Sequence, residues 1–570
     1  MYWHTIPQEL RIMVLESLVL LESDGGRTSP YAAVSKEWQA FFEKQHFGRL
    51  VLHQSHIREF DRIVRHQRRR MVRHIWLRIQ LAEYDCDRCY KRENDAEARV
   101  NNQLMTEAIW TTLKVLSTWP KRGRFGVGNK GPILELSVHS PSDIEHHFHN
   151  YLLDSNFYAH STNEDCSGEE FCNILSREQK TRRTSADTHA QRYGYNGKLA
   201  SGADNFLSSF NAAIRIDARL LTLDFGNLGP GKKRVLPSAK VVRGLLIRRQ
   251  SVRQFSLSTL LEIVRRLPEI EIISLESWQP MFIQIIDAGG MLDRFSGPTS
   301  LKTLSIFRGY NPVVSLRAPY SIDLGQALAD GTNLVEHLSI AFLIDSNQFF
   351  HDFRPKNPDT IGSDIFRSAM QRNLMSQLSP LRRRRLMEKK RKALPRSFDY
   401  LLLDEFKAEH GSIPIYQPSW PCLKSLALTS HTLNPTASGD ELNAIFISAA
   451  TAAMEMPQLQ TMEIWNATRS SLCIFRYRRT GSNGRPMITL ISSWGLILGP
   501  QVVSSWNDVT RKYFDEEVRV EEQTAAGEVI DTYATVIDLL ELRQLVCHQI
   551  SICQMRYEAE YRNRIIHNGL

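Results

Sequence analysis

A short apolar signature recurs along the chain. It has one apolar residue, two of any kind, a second apolar residue, one of any kind, and a third apolar residue. Copies fall at Val72-Ile75-Leu77, Ile133-Leu136-Val138, Leu220-Leu223-Phe225, Val242-Leu245-Ile247, Ile270-Ile273-Leu275, Leu301-Leu304-Ile306, Val335-Leu338-Ile340, Leu423-Leu426-Leu428 and Leu459-Met462-Ile464. The last two positions of each copy alternate as a half-buried strand does. Pro268, Pro421 and Pro457 stand two residues ahead of their copies, and Pro298 stands three ahead. Proline suits the start of a strand, where no ladder N–H is needed. Two copies follow amphipathic helical patterns. Ser258–Leu267 carries Leu260, Leu261, Val264 and Leu267, and Glu441–Met456 carries Leu442, Ile445, Phe446 and Ala449.

Helix, proline, strand and turn form the unit of a leucine-rich repeat. Residues 131–474 therefore read as a leucine-rich-repeat-like array, irregular because its central copies start at 242, 270, 301 and 335. Insertions are expected near 140–219 and 345–420. The first contains a polar stretch expected to be a surface loop or disordered. A non-repetitive α/β domain with Leu-rich strands is the competing reading. In an array, Glu276, Trp278, Arg308 and Trp465 would lie on a concave strand face, open to a target. From about Phe475 the pattern becomes strand, turn around Gly481–Gly484, strand, and then helix over Asp531–Arg564. Residues 475–570 are expected to cap the array, since an uncapped end exposes core. The fold class is thus α/β.

The first fifty residues differ. Thr5 is an expected N-cap and Pro7 an expected first-turn residue. Leu10, Met13, Val14, Leu18 and Leu21 follow at helical spacing until Ser23-Asp24-Gly25-Gly26 interrupts them. A second pattern places Tyr31, Val34, Trp38, Phe41 and Phe42 on one side. Such a unit carries more large apolar surface than it can bury alone, so it docks on the rest of the chain or on a partner. Residues 51–130 read as a helical connector with the first strand.

The order I-P-x-E-L-R-x-x-x-L-E-x-L, then A-A-V-S-K-E-W-Q-x-F-F, then F-x-R-L, resembles an F-box. In that family the corresponding residues pack against a Skp-type adaptor. The resemblance assigns this contact to Ile6, Pro7, Glu9, Leu10, Leu15, Leu18, Val34 and Trp38. The stretch Glu22–Ser29 departs from the family's short P-x-D-L link. The phrases SPYAAVSKEWQAFFE and RHIWLRIQLAEYDC are further similar to filamentous-fungal F-box proteins. The resemblance implies a substrate-recognition subunit of a Skp–cullin–F-box ubiquitin ligase. Its partners would be the adaptor, through it a cullin, and an unknown protein substrate. A non-catalytic scaffold using the F-box outside a ligase is the alternative.

The remaining sequence fits a non-enzymatic role. No apolar run approaches the ~20 residues of a membrane-spanning helix, and no secretory signal opens the chain. Eight scattered cysteines in 570 residues indicate a reducing compartment, cytoplasmic and/or nuclear. The net charge of +9 is modest for the length. The basic runs His66–Arg73 and Leu381–Lys392 read as solvated faces more readily than as nucleic-acid contacts, because aromatic interleaving is missing. Cys86 and Cys89 form a CxxC. Zinc would need two further ligands, and Cys166, Cys172, His146, His147 and His149 are the nearest in sequence, with unsuitable spacing. His146-His147-Phe148-His149 lacks the HExxH pattern, and Gly229–Lys233 lacks the order of a phosphate loop. No partnered nucleophile is evident. No cofactor or metal is expected. Arg308, Arg248, Arg249 and Arg253 are the natural partners should a phosphate be read on the target.

Overall fold

The structure is a computed structural model. It describes residues 3–21, 28–89, 91–120, 131–146, 219–226, 235–249, 251, 253–278, 298–309, 322–353, 418–468, 470–479, 485–525 and 532–556. Most of both expected insertions, the run Leu381–Lys392, Gly229–Lys233, Cys166 and Cys172 therefore lie outside the described residues.

The chain opens with helices α1 (Gln8–Leu21) and α2 (Lys36–Gly48), followed by β1 (Arg49–His53), α3 (Ile57–Ile63), α4 (Gln67–Met71) and β2 (His74–Gln80). Then come α5 (Asp95–Ser117), β3 (Ile133–His139), β4 (Gly244–Ile247), α6 (Leu257–Arg265), β5 (Ile272–Trp278) and β6 (Thr303–Gly309). The rest comprises α7 (Ile322–Gly331), β7 (His337–Ala341), β8 (Ser425–Thr429), α8 (Gly439–Ala453), β9 (Thr461–Ala467) and β10 (Leu472–Arg478). The chain closes with β11 (Met487–Ser492), α9 (Pro500–Phe514), β12 (Arg519–Thr524), α10 (Tyr533–Asp538) and α11 (Arg543–Val546).

The twelve strands form one open sheet in chain order, β1 to β12. Neighbours from β1 to β9 are parallel, β9, β10 and β11 are joined antiparallel, and β12 returns parallel to β11. A parallel neighbour requires a crossover on one face. Here α5, α6, α7, α8 and α9 all contribute to one core with the same strand positions. Ile75, Leu134, Leu245, Ile273, Leu304, Leu338, Leu426 and Met462 stand side by side in register. Two residues on, Ile247, Leu275, Ile306, Ile340, Leu428 and Ile464 form a second row. These rows are the last two positions of the sequence signature.

The residue just ahead of each strand is also in line. The Lys302 N–H donates to Glu271 O, Glu336 to Lys302 O, and Lys424 to Glu336 O. Their side chains alternate in sign: Arg243 Nε is 3.1 Å from Glu271, and Lys424 Nζ is 2.7 Å from Glu336. Opposite charges on adjacent strands favour this register over a slipped one.

Helix ends are fixed locally. Ser256 Oγ accepts the Thr259 N–H ahead of α6, and Ser438 with Glu441 forms a capping box on α8.

Four expectations change. Leu220-Leu223-Phe225 is not a sheet strand; Leu221 makes only an isolated bridge to Phe255. Its chain lies on α5 instead, with the Thr222 and Asp224 N–H groups donating to Asn102 and Thr106 at 2.9 and 2.8 Å. The copy at Ile133 is displaced by two residues, since Leu134 rather than Leu136 pairs with Ile75. The region expected to hold the first strand holds two, because Arg49–His53 already pairs with β2. Residues 532–556 do not simply close the end of the sheet. They cross the face opposite the helices, where Ala534, Val536, Ile537, Val546, Cys547 and Ile552 share a second core with that face.

Candidate functional site

Two places deserve a functional reading: the surface of the first two helices and the sheet face opposite the crossover helices.

Aromatic contacts tie α2 to the turns that precede α1 and α2. Trp38 lies 5.4 Å from Trp3 and 5.9 Å from Phe42, and Tyr31 lies 5.4 Å from Phe42. Ser35 Oγ caps α2 by accepting the Trp38 N–H. Trp3 Nε1 donates to Glu37 at 2.8 Å, and Arg11 pairs with the same carboxylate at 3.4 Å. Leu15 and Phe42 are the buried centre, at 1% and 0% exposure. The unit joins the sheet through Arg68, which pairs with Glu43 at 2.7 Å and stands over the Phe47 ring. The basic run of α4 is thus partly engaged within the fold, with Arg69 against Asp61 and the Trp119 ring.

One side of α1 stays bare. Leu10, Met13, Val14 and Leu21 lie at spacings of three, four and eleven residues from the first, on one helix side. Their exposures are 50%, 58%, 43% and 77%, and Val34, just ahead of α2, is 60% exposed. Six of the ten large exposed apolar residues among those described lie in this unit, counting Ile12. Clustering of this kind marks an interaction surface, whereas scattered apolar residues do not.

The eight expected adaptor-contact residues divide accordingly. Pro7, Glu9, Leu10 and Val34 are exposed, and Ile6, Leu18 and Trp38 are half-buried. Leu15 differs from the rest: it is buried within the chain, at 1% exposure. Pro7 precedes the helix rather than opening it, its carbonyl accepting the Arg11 N–H. Ile12, Met13 and Leu21 add exposed apolar area that motif matching missed. Helical periodicity alone placed Met13 and Leu21 with Leu10.

The sheet's inner face overturns the expectation of an open target surface. Glu276, Arg308 and Trp465 are buried at 1%, 6% and 0% exposure. The Trp278 side chain lies outside the described residues. Trp465 and Phe342 meet at 5.2 Å, with Tyr533 4.9 Å from Phe342. Phe342 itself adopts a positive φ of 59°. Two buried carboxylates pin the covering segment. Glu463 accepts the N–H groups of Glu541 and Leu542, each at 3.0 Å, and Arg476 at 2.6 Å. Glu276 accepts the His548 N–H at 2.5 Å, the Ser551 hydroxyl and the Arg249 N–H. Burial raises both carboxyls above their usual range, outweighing those donors.

The arginines proposed as phosphate partners are also committed. Arg248 is buried against Glu135, its Nε at 2.6 Å, and His74 reaches the same carboxylate at 2.8 Å. Arg253 pairs with Asp143 at 2.9 Å, and Tyr84 Oη donates to that carboxylate at 2.9 Å. Burial alone would raise Asp143, but the Arg253 guanidinium and its hydrogen bonds hold it below the usual range.

Among the described residues no group of three or more His, Cys, Asp or Glu is placed to hold a metal ion. Cys89 is fully buried, and the side chains of Cys86 and His146 lie outside the described residues. No helix among the described residues is long and apolar enough to cross a membrane.

Residues 296–548 match the model of a family of unknown function (DUF6546). That stretch begins just ahead of β6 and ends in the segment crossing the inner face, so it includes Glu463 and His548 but none of the first two helices. No curated protein matches the chain, and no solved structure does.

Proposed function

We propose that this chain is the substrate-recognition subunit of a Skp–cullin–F-box ubiquitin ligase, with residues 1–50 as its F-box and the sheet as an irregular leucine-rich-repeat-like array. The cluster of exposed apolar side chains on α1, with Val34, carries the reading. Leu10, Met13, Val14 and Leu21 have no reason to be apolar in a free surface helix, where polar residues solvate equally well. A foreign apolar surface that covers them gains roughly 25 cal/mol per Å² removed from water. Strands in chain order with crossovers on one face support the array. Catalysis would then be proximity: the chain holds a target lysine near a charged ubiquitin carrier and raises its effective concentration.

The test is capture of a purified Skp-type adaptor by the full chain and by Leu10→Asp/Val34→Asp. Both positions are exposed, so the variant keeps its fold by circular dichroism while adaptor capture falls at least about a hundredfold. Undiminished capture overturns the assignment. Cullin recovered with the adaptor favours the ligase over the scaffold.

A further inference from the structure

The sheet is open, and its two ends carry opposite charge. Among the described residues β1 pairs only with β2, and β12 only with β11, so each has one side without a strand partner. The two edge strands are close in length, at five and six residues. They also run the same way. The two antiparallel steps through β10 return β11 to the direction of β9, and β12 follows β11. The β12 edge of one molecule laid beside the β1 edge of another therefore continues the sheet in parallel.

The β1 end is cationic. Residues 49–73 hold eight arginines against two acids, Glu59 and Asp61. Both acids are already engaged, Glu59 by Arg62 at 3.5 Å and Asp61 by Arg69 at 3.7 Å. Arg58, Arg65 and Arg73 are exposed, and no carboxylate among the described residues pairs with them. Arg58 and Arg65 lie in the crossover between β1 and β2. Arg73 stands directly ahead of β2, its N–H donating to Gly48 O.

The β12 end is anionic. Residues 515–524 hold five acids against Arg519. Arg519 is taken by Glu521 at 2.8 Å, and Glu517 is paired with Arg511 at 3.0 Å. Asp515 and Glu516 are exposed, with no cation paired to them among the described residues. They stand just ahead of β12, at the level in the sheet where Arg73 stands ahead of β2. In the continued sheet only β1 separates the two levels, about 10 Å, which is within screening range. The joint then repeats a device already used inside the chain, where Arg243 meets Glu271 and Lys424 meets Glu336 ahead of their strands.

Charged edges normally keep a sheet from pairing with its like. Here the two edges differ in sign, so β1 repels β1 and β12 repels β12, while β12 attracts β1. We propose that the two ends of the sheet form a head-to-tail interface between copies of this chain, the β12 edge of one against the β1 edge of the next. Such a contact leaves a free edge at each end and builds open chains rather than closed dimers. It is carried by exposed charge, so it is weak and sensitive to salt. The inference does not depend on the receptor reading.

The experiment is sedimentation velocity on the full chain over a concentration series, at about 0.05 M and about 0.5 M NaCl. Association is expected at low salt and is at least about tenfold weaker at high salt. Arg58→Glu/Arg65→Glu and Glu516→Lys/Glu517→Lys change only exposed side chains, so both keep the fold by circular dichroism. Each alone weakens association at least about tenfold, because its two ends then share one sign. Mixed together, the two variants associate again, since every joint between them brings unlike ends together. Leu10→Asp/Val34→Asp associates as the native chain does. The mass of a single chain at every concentration in low salt overturns the interface, as does association that neither variant changes. A mixture that stays as single chains also overturns it, and loss of association in Leu10→Asp/Val34→Asp assigns the contact to α1 instead.

Discussion

The first two helices and the sheet handle apolar residues in opposite ways. In the sheet, Leu338, Leu426 and Ile464 are fully buried between strands and crossover helices, and even the opposite face is covered by residues 532–556. In α1, Leu10, Met13 and Leu21 are half exposed or more. The difference shows that an apolar periodicity says which residues share a side, not whether this chain supplies the cover.

The same substitution made in both regions sharpens the contrast. Leu338→Asp places an unpaired carboxyl inside the core and is expected to cost more than about 4 kcal/mol, leaving little folded protein in a urea titration. Arg253→Met comes next. It strands Asp143, which is 0% exposed, beside the more weakly held Glu93, and a loss of about 3–5 kcal/mol is expected. A cost below about 1 kcal/mol would mean that the pair is solvated.

A pH series separates the regions again. His548 is held down to about 3, first by burial and then by Arg248, with His74 and Arg49 adding to the shift and Glu135 opposing it. Its unfolded value is about 6.5. Between those values the unfolded chain binds a proton that the folded chain does not. Stability from this group is therefore complete above about pH 6.5 and is lost as pH falls, by at most about 1.4 kcal/mol per unit. His548→Gln should flatten the fall between pH 6.5 and 5 in urea midpoints. An unchanged slope would show that other groups carry it. Glu336→Lys, which puts three cations in line along the strand edge, is expected to cost about 1 kcal/mol at low salt and less at high salt. Leu10→Asp is expected to change stability by less than about 0.5 kcal/mol, the smallest effect of the set. A cost comparable to Leu338→Asp would mean that α1 is packed against its own chain and that the contrast is false.

Much of the sheet was legible because strand positions repeat their chemistry. Six of the signatures, from Val242 to Leu459, align with the observed ladder, and the alternation at Leu245-Ile247 or Met462-Ile464 points to one core. Leu220-Leu223-Phe225 carries the same letters yet packs on α5, because three apolar residues fit any apolar surface. Strand β1 went unseen: Arg49–His53 is short and adjoins the helix that precedes it. In the candidate docking site, helical spacing placed Leu10 on one side with Met13, Val14 and Leu21. It did not show that Leu15, five residues on from Leu10 and so turned to a different side, is buried.

The sequence by itself determined the rows: which residues form strands, which of them share a face, and that the opening helices carry surplus apolar area. These follow from backbone periods of 2.0 and 3.6 residues, which are local properties. Only the tertiary structure decided what covers each face. Glu276 and Glu463 look like solvent-facing residues in sequence because a carboxylate normally needs water. They are buried because backbone N–H groups more than seventy residues away, at His548, Glu541 and Leu542, take water's place. No local pattern encodes a partner that distant, so the inner face read as open until the fold closed it.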